Sequence, residues 1–132
     1  MLTDPVPATP ITCLIVDDSP EFLEAAKQLL TDDGVTVLGF AATADQAAGE
    51  TLALRPDVVL VDVDLGTESG FDVAKRLAGL ASGGPPVVLI SAESISELAE
   101  LVNASGALGF VSKTDLSGSA IRTLLARADS GG

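Results

Sequence analysis

The sequence predicts an α/β fold: a (βα)5 chain forming one doubly wound, five-stranded parallel sheet with helices on both faces. Two observations predict the class. Five apolar, largely β-branched runs recur along the chain: ITCLIV (Ile11–Val16), VTVLGF (Val35–Phe40), VVLV (Val58–Val61), VVLI (Val87–Ile90) and LGFV (Leu108–Val111). Such runs mark strands buried on both faces, although periodicity alone does not separate them from buried helical segments. Helical patterning fills the intervals, and strands alternating with helices require right-handed crossovers and a parallel sheet. A length of 132 residues sets the scale, one domain.

Each element has its own signals. Residues 1–10 carry Pro5, Pro7 and Pro10 without periodicity and read as an irregular lead-in; residues 11–128 form the domain, and 129–132 read as a frayed end. Ser19-Pro20 reads as an N-cap with proline at the first helical position. Phe22, Leu23, Ala26, Leu29 and Leu30 then form an apolar stripe that Asp33-Gly34 stops. The second helix runs from Ala44 to Leu54, before Pro56. The third follows Gly70, with Val73, Ala74, Leu77 and Leu80 on one face, and SGGPP (Ser82–Pro86) closes it. Ser94 and Glu97 form a capping-box pattern for the fourth, which ends near Asn103. The fifth carries Leu116, Ala120, Ile121, Leu124 and Leu125.

Composition excludes several function classes. Without histidine there is no His-based triad, no His general base and none of the usual zinc sites. The lone cysteine, Cys13, cannot form an intramolecular disulfide, which fits a reducing cytoplasm. Nineteen acidic against seven basic residues give a net charge of −12, the wrong sign for nucleic-acid binding. No apolar run approaches the ~18–20 residues of a membrane span. MLTDPVPATP has neither a positive n-region nor an apolar h-region, so it is not read as a signal peptide.

Chemistry in an open α/β sheet belongs beyond the carboxyl ends of the strands. The first strand ends in Asp17-Asp18, the third in Asp62-Val63-Asp64, the fourth in Ser91-Ala92, and Ser112-Lys113 follows the fifth. Carboxylates gathered at one edge must be protonated, paired with a cation or bound to a metal. An all-oxygen site selects a hard ion such as Mg²⁺, with Mn²⁺ as a substitute. Carboxylates, Mg²⁺, one lysine and one hydroxyl suit a phosphoryl group, and a carboxylate can itself be the nucleophile. No Walker A loop or GxGxxG is present. Taken singly, these residues also have ordinary readings: Asp17-Asp18 as a helix cap, Asp62 as a turn residue, Lys113 as a solvated lysine, and Phe110 and Cys13 as core.

LIVDDSP (Leu14–Pro20), VVLVDVDLGTESGFDV (Val58–Val73), LISA (Leu89–Ala92) and GALGFVSK (Gly106–Lys113), in this order and spacing, resemble a bacterial response-regulator receiver domain from about Ile11 to Ala128. The resemblance implies a flavodoxin-like, chemotaxis-regulator-like sheet of order 2-1-3-4-5. It implies Asp62 as phosphoacceptor, Asp18 as a direct Mg²⁺ ligand, Asp17 holding a metal-bound water and the backbone carbonyl of Asp64 as a further ligand. Lys113 stands at the motif lysine, Ser91 at the switch hydroxyl and Phe110 at the switch aromatic. Asp64 and Glu93 stand at the two positions that modulate phosphoryl lifetime.

The implied function is a cytoplasmic phosphorelay module that takes a phosphoryl group from a sensor histidine kinase or phosphotransferase protein. It would alter its α4-β5-α5 surface for a downstream protein or a phosphorylation-dependent dimer. It would not be an enzyme beyond self-phosphotransfer and slow autodephosphorylation. Two departures stand out. Thr114 replaces the proline that follows the lysine in many members, and a cis non-proline bond costs ~3–4 kcal/mol. Phe110 lacks the hydroxyl of a tyrosine, so any switching there works by packing. MLTDPVPATP reads as a natural start, and no helix-turn-helix output domain follows in this sequence, which fits either a stand-alone regulator acting by protein contact or a domain excised from a longer one.

Two other functions compete. DVDLGT (Asp62–Thr67) also resembles the loop of haloacid-dehalogenase-type phosphatases, with Asp62 as nucleophile and Asp64 as general acid–base. That motif belongs on a first strand, and the reading leaves Asp17-Asp18 unexplained. A pseudo-receiver acting without phosphorylation is the third reading, against which the full acidic set and Lys113 argue.

Overall fold

A computed structural model describes residues 10–66, 68–80, 84–92 and 99–130. The strands are β1 (Ile11–Val16), β2 (Val35–Ala41), β3 (Val58–Asp62), β4 (Val87–Ser91) and β5 (Gly109–Ser112). The helices are α1 (Pro20–Asp32), α2 (Ala44–Leu54), α3 (Gly70–Ala78), α4 (Ala99–Ala104) and α5 (Gly118–Ser130). All strand pairs are parallel, in the order β2-β1-β3-β4-β5. The expected class and strand order are therefore those observed.

The period-2 alternation of strand side chains divides the core. Leu14, Val16, Val59, Val61, Val87 and Leu89 pack with Ala47 and Ala48 of α2 and Val73, Ala74 and Leu77 of α3. Cys13, Ile15, Val58, Leu60, Val88 and Ile90 pack on the other face with Ala26 and Leu30 of α1 and Ile121 of α5. Every residue of β3 and β4 is buried, so these strands read as unbroken apolar runs rather than alternating ones.

Several boundaries move. Leu29 is exposed, so the inward stripe of α1 is narrower than its spacing predicts. β5 starts one residue late, at Gly109, although Leu108 still donates its N–H to Val87 O at 2.7 Å. A 3-10 turn at Lys113–Asp115 was not anticipated, and Leu116 is a buried loop residue ahead of α5. Helix α5 continues to Ser130, two residues into the stretch expected to fray. The capping box at Ser94 and Glu97 lies outside the described residues. No cis peptide bond occurs among the described residues, so Lys113–Thr114 is trans.

At the amino ends of β1 and β3, Thr12 and Asp57 clasp each other. Thr12 donates its N–H and hydroxyl to Asp57 Oδ2 at 2.9 and 3.1 Å, and Asp57 N–H donates back to Thr12 Oγ1 at 3.0 Å.

Candidate functional site

The sheet's order reverses direction between β1 and β3, which opens a crevice at their carboxyl ends. Asp17 follows the last residue of β1, and Asp62 is the last residue of β3. Carboxylate oxygens of Asp17, Asp18 and Asp62 lie within 4.8 Å of one another. Lys113, immediately after β5, reaches across with Nζ 2.8 Å from Asp17 Oδ2 and 3.1 Å from Asp62 Oδ2. The structure thus brings together four of the residues read from the sequence.

The loops hold these groups in place. Asp17 is buried, and its Oδ1 accepts the Ser19 N–H at 2.8 Å beside the start of α1. Ser19 Oγ accepts the Phe22 N–H, the N-cap role its sequence context predicts. Asp18 is exposed at the mouth of the crevice. Asp62 Oδ1 accepts the Asp64 N–H at 3.2 Å, which leaves Oδ2 on the side of the ammonium. Asp64 and Ser69 then pair as an antiparallel bridge that closes the loop. Gly70 permits that closure, because a Cβ there would run into the carbonyl oxygen of Asp62. Gly66 adopts φ +80°, a conformation that favours glycine, and a Cβ there would sit 3.2 Å from Asp18 Oδ2.

Burial raises the pKa of Asp62 above its ordinary value, and the nearby charge of Asp17 pushes the same way. The Asp64 N–H and the Lys113 ammonium pull it down without overcoming burial. On Lys113 the balance reverses. Burial, the largest single influence, favours the neutral amine, but Asp17 and Asp62 together outweigh it and raise the pKa. The ammonium is therefore kept charged by its two carboxylates.

The donor set fits a hard cation. Asp17 Oδ2 is buried and, among the described residues, its one polar contact is the Lys113 ammonium at 2.8 Å. The ammonium pairs with two of the three carboxylates, so the cluster carries negative charge that the described residues at this edge do not balance. Hard oxygen donors with spare charge are what a divalent cation of the Mg²⁺ type requires.

Other predicted residues stand further out. Ser91 is buried at the end of β4, one position beyond Ile90, which pairs with Asp62. Phe110 is partly buried on β5 and packs against the core face of α2 and α3. The side chain of Asp64 is exposed and its Oδ1 accepts the Gly66 N–H at 3.0 Å, so it is turned into its own loop. Glu93 lies outside the described residues. Two contributors were missed. The Phe22 ring lies under the ammonium, 4.2 Å from Nζ to its centroid. Glu68, in the loop after Asp62, accepts the Ala44 N–H at 2.8 Å and ties that loop to α2. In the sequence Phe22 is visible only as a member of the apolar stripe of α1, with nothing that points to Lys113, and Glu68 carries no signal.

The sequence profile described as "Response regulator receiver domain" matches residues 13–125. The chain belongs to the response-regulator receiver family. Receiver domains are the phosphoacceptor modules of two-component signalling, and this chain is one. Among its relatives, protein-glutamate methylesterase/protein-glutamine glutaminase 6 of Anaeromyxobacter dehalogenans is 37% identical over 108 residues, covering 80% of this chain and 30% of the relative. The chemotaxis response regulator CheY4 of Vibrio cholerae superposes with a TM-score of 0.74 at 25% identity, over 90% of this chain and 98% of that one. The signal receiver domain of a modulated diguanylate cyclase from Desulfovibrio desulfuricans G20 gives 0.72 at 26%, over 89% and 92%. The chain spans only 24% to 51% of the length of curated relatives such as the methylesterases and the DNA-binding transcriptional activator EvgA of Escherichia coli. The phosphatase reading is not favoured: its motif falls on the third strand of a receiver sheet, and Asp64 is engaged with Gly66. No described helix is long and apolar enough to cross a membrane.

Proposed function

We propose that Asp62 is the phosphoacceptor of this receiver domain and that its donor is a phosphohistidine on a sensor histidine kinase or phosphotransferase protein. The observation that carries the reading is the 3.1 Å approach of the Lys113 ammonium to Asp62 Oδ2 within the acidic cluster. A carboxylate oxygen of Asp62 attacks phosphorus, the P–N bond of the donor breaks, and the imidazole leaves with the electron pair and takes up a proton. The product is an acyl phosphate on Asp62. Asp17, Asp18, Asp62 and the backbone carbonyl of Asp64 would hold Mg²⁺ or Mn²⁺, which when bound neutralises charge on the phosphoryl oxygens.

Lys113 supplies the remaining counter-charge. Ser91 donates its hydroxyl to a phosphoryl oxygen, and Phe110 repacks in response, which changes the surface of α4, β5 and α5 for a downstream protein. Asp64, exposed beside the acceptor, tunes how long the phosphoryl group survives. The chemistry is self-phosphotransfer with slow hydrolysis, not turnover of a substrate.

The test is incubation with acetyl phosphate or phosphoramidate and Mg²⁺, read by intact mass and peptide mapping. One phosphoryl group should appear, on Asp62, and Asp62→Asn should remain folded and unmodified. An adduct on a serine, catalytic turnover of phosphate esters, or no adduct with any donor would each overturn the assignment.

A further inference from the structure

Lys113 is the cation at the centre of the acidic cluster, and a lysine is a compact charge on a flexible four-carbon stem. Two of its neighbours are the carboxylates of Asp17 and Asp62. The third is the face of Phe22, with the ring centroid 4.2 Å from Nζ. A ring face attracts an ammonium through its quadrupole but accepts no conventional hydrogen bond. A third carboxylate in that place would compete for the N–H groups, and an aliphatic side chain would exclude water without attracting the charge. The ring does neither. It limits the ammonium's travel while leaving its donors for the acceptor side.

This matters when charge is added at Asp62. A phosphoryl group brings up to about two negative charges beside Asp17 and Asp18. The ammonium must then exchange carboxylate partners for phosphoryl oxygens without swinging out to solvent. The lysine side chain is 18% exposed, so the way out is partly open, and the ring covers one flank of it. Phe22 is itself set by the site, since its backbone N–H donates to the Ser19 cap next to Asp18.

We propose that Phe22 is a positioning residue for phosphoryl transfer, holding the Lys113 ammonium against Asp62 through its ring face. The proposal rests on Asp62 being the phosphoacceptor. Its test is a double-mutant cycle with Phe22→Leu, which keeps apolar bulk and removes the quadrupole, and Lys113→Met, which keeps chain length and removes the charge. Phosphorylation by acetyl phosphate should slow about three- to tenfold in Phe22→Leu and stay near wild type in Phe22→Tyr. In the Lys113→Met background the same Phe22→Leu change should alter the rate less than about twofold, since no ammonium remains to be held.

A second readout does not depend on phosphorylation. Ring current should shift the Lys113 ε-methylene protons upfield in the wild type, and Phe22→Leu should return them toward ordinary lysine values. An equal loss of rate in both backgrounds, or ε-protons unmoved by Phe22→Leu, overturns the positioning role. A wild type that takes no phosphoryl group on Asp62 fails the underlying reading instead, and the proton shifts still report whether the ring holds the ammonium.

Discussion

Cys13 sits in the middle of β1 with no exposed surface, and burial pushes its thiol up to about 12 from the usual 9.0. The native state keeps the proton over a range in which the unfolded chain has lost it. Between pH 9.0 and about 12 the unfolded state binds fewer protons, so stability falls as pH rises, by about 1.4 kcal/mol per unit. Below that range the thiol contributes no pH dependence. Cys13→Ala lacks the ionisation but leaves a cavity, so the wild type should be the more stable at neutral pH and its margin should shrink in alkali. Denaturant unfolding at about pH 8 and about pH 11 checks this, and a constant margin would mean that the thiolate is tolerated. The inert core role of Cys13 was legible because an apolar strand surrounds it. The pairing of Lys113 was legible only as chemistry, from its place after β5. Its contact with Phe22 was not, because nothing local in α1 refers to a lysine beyond the last strand.

Helix α2 shows how one element depends on a loop far along the chain. Thr43 Oγ1 accepts the Gln46 N–H at 3.1 Å, Gln46 Oε1 accepts the Ala42 N–H at 2.8 Å, and Glu68 supplies the third partner by accepting from Ala44. Removing it leaves a first-turn donor without a protein partner. Glu68→Ala should lower stability by about 1 kcal/mol, with faster amide exchange at Ala44. Glu68→Gln, which keeps a carbonyl acceptor, should lose less. Exchange at Ala44 unchanged in Glu68→Ala would show that the cap is not needed. The strands and α1 to α3 were legible because burial on both sheet faces and 3.6-residue stripes leave strong patterns. The start of α5 was not. Asp33, read only as the stop of α1, also accepts the Gly118 N–H at 2.8 Å, and its carbonyl oxygen accepts from Arg122 Nη2 at 2.8 Å. Beside the local cap, in which Ser117 Oγ accepts the Ala120 N–H at 3.0 Å, these are tertiary contacts between distant segments with no local spacing to read.

The molecule as a whole carries a net charge of −12, and its acidic cluster adds local repulsion to that general excess. A cation that binds only the folded cluster stabilises the fold by mass action, about 2.7 kcal/mol at a concentration a hundredfold above Kd. Mg²⁺ should therefore raise the melting temperature beyond what KCl of equal ionic strength achieves. Asp18 is exposed, so Asp18→Ala leaves the core alone, and it should remove this extra rise. A rise of equal size in the variant would assign the effect to screening over the whole surface instead of to the cluster. Sheet order and site belong together at this scale. Strand patterns and strand-end residues are visible in sequence, but that β1 and β3 lie side by side depends on the crossovers.

The clasp between Thr12 and Asp57 turns that adjacency into a matter of counting. Asp17 lies as many residues beyond Thr12 as Asp62 lies beyond Asp57, and the intervening pairs run level from Cys13 with Val58 to Val16 with Val61. The two strands are matched rulers, zeroed at the far edge of the sheet, with a carboxylate at the same mark on each. Losing or gaining one residue in either ruler would displace its carboxylate by ~3.3 Å and turn the residues beyond it to the opposite face. Side chains along the rulers can be exchanged for others of similar size while the marks stay level. Their lengths cannot drift independently: descendants of this chain can exchange buried side chains of β1 and β3 for others of like volume, but a change of length keeps the two carboxylates level only if both strands make it together.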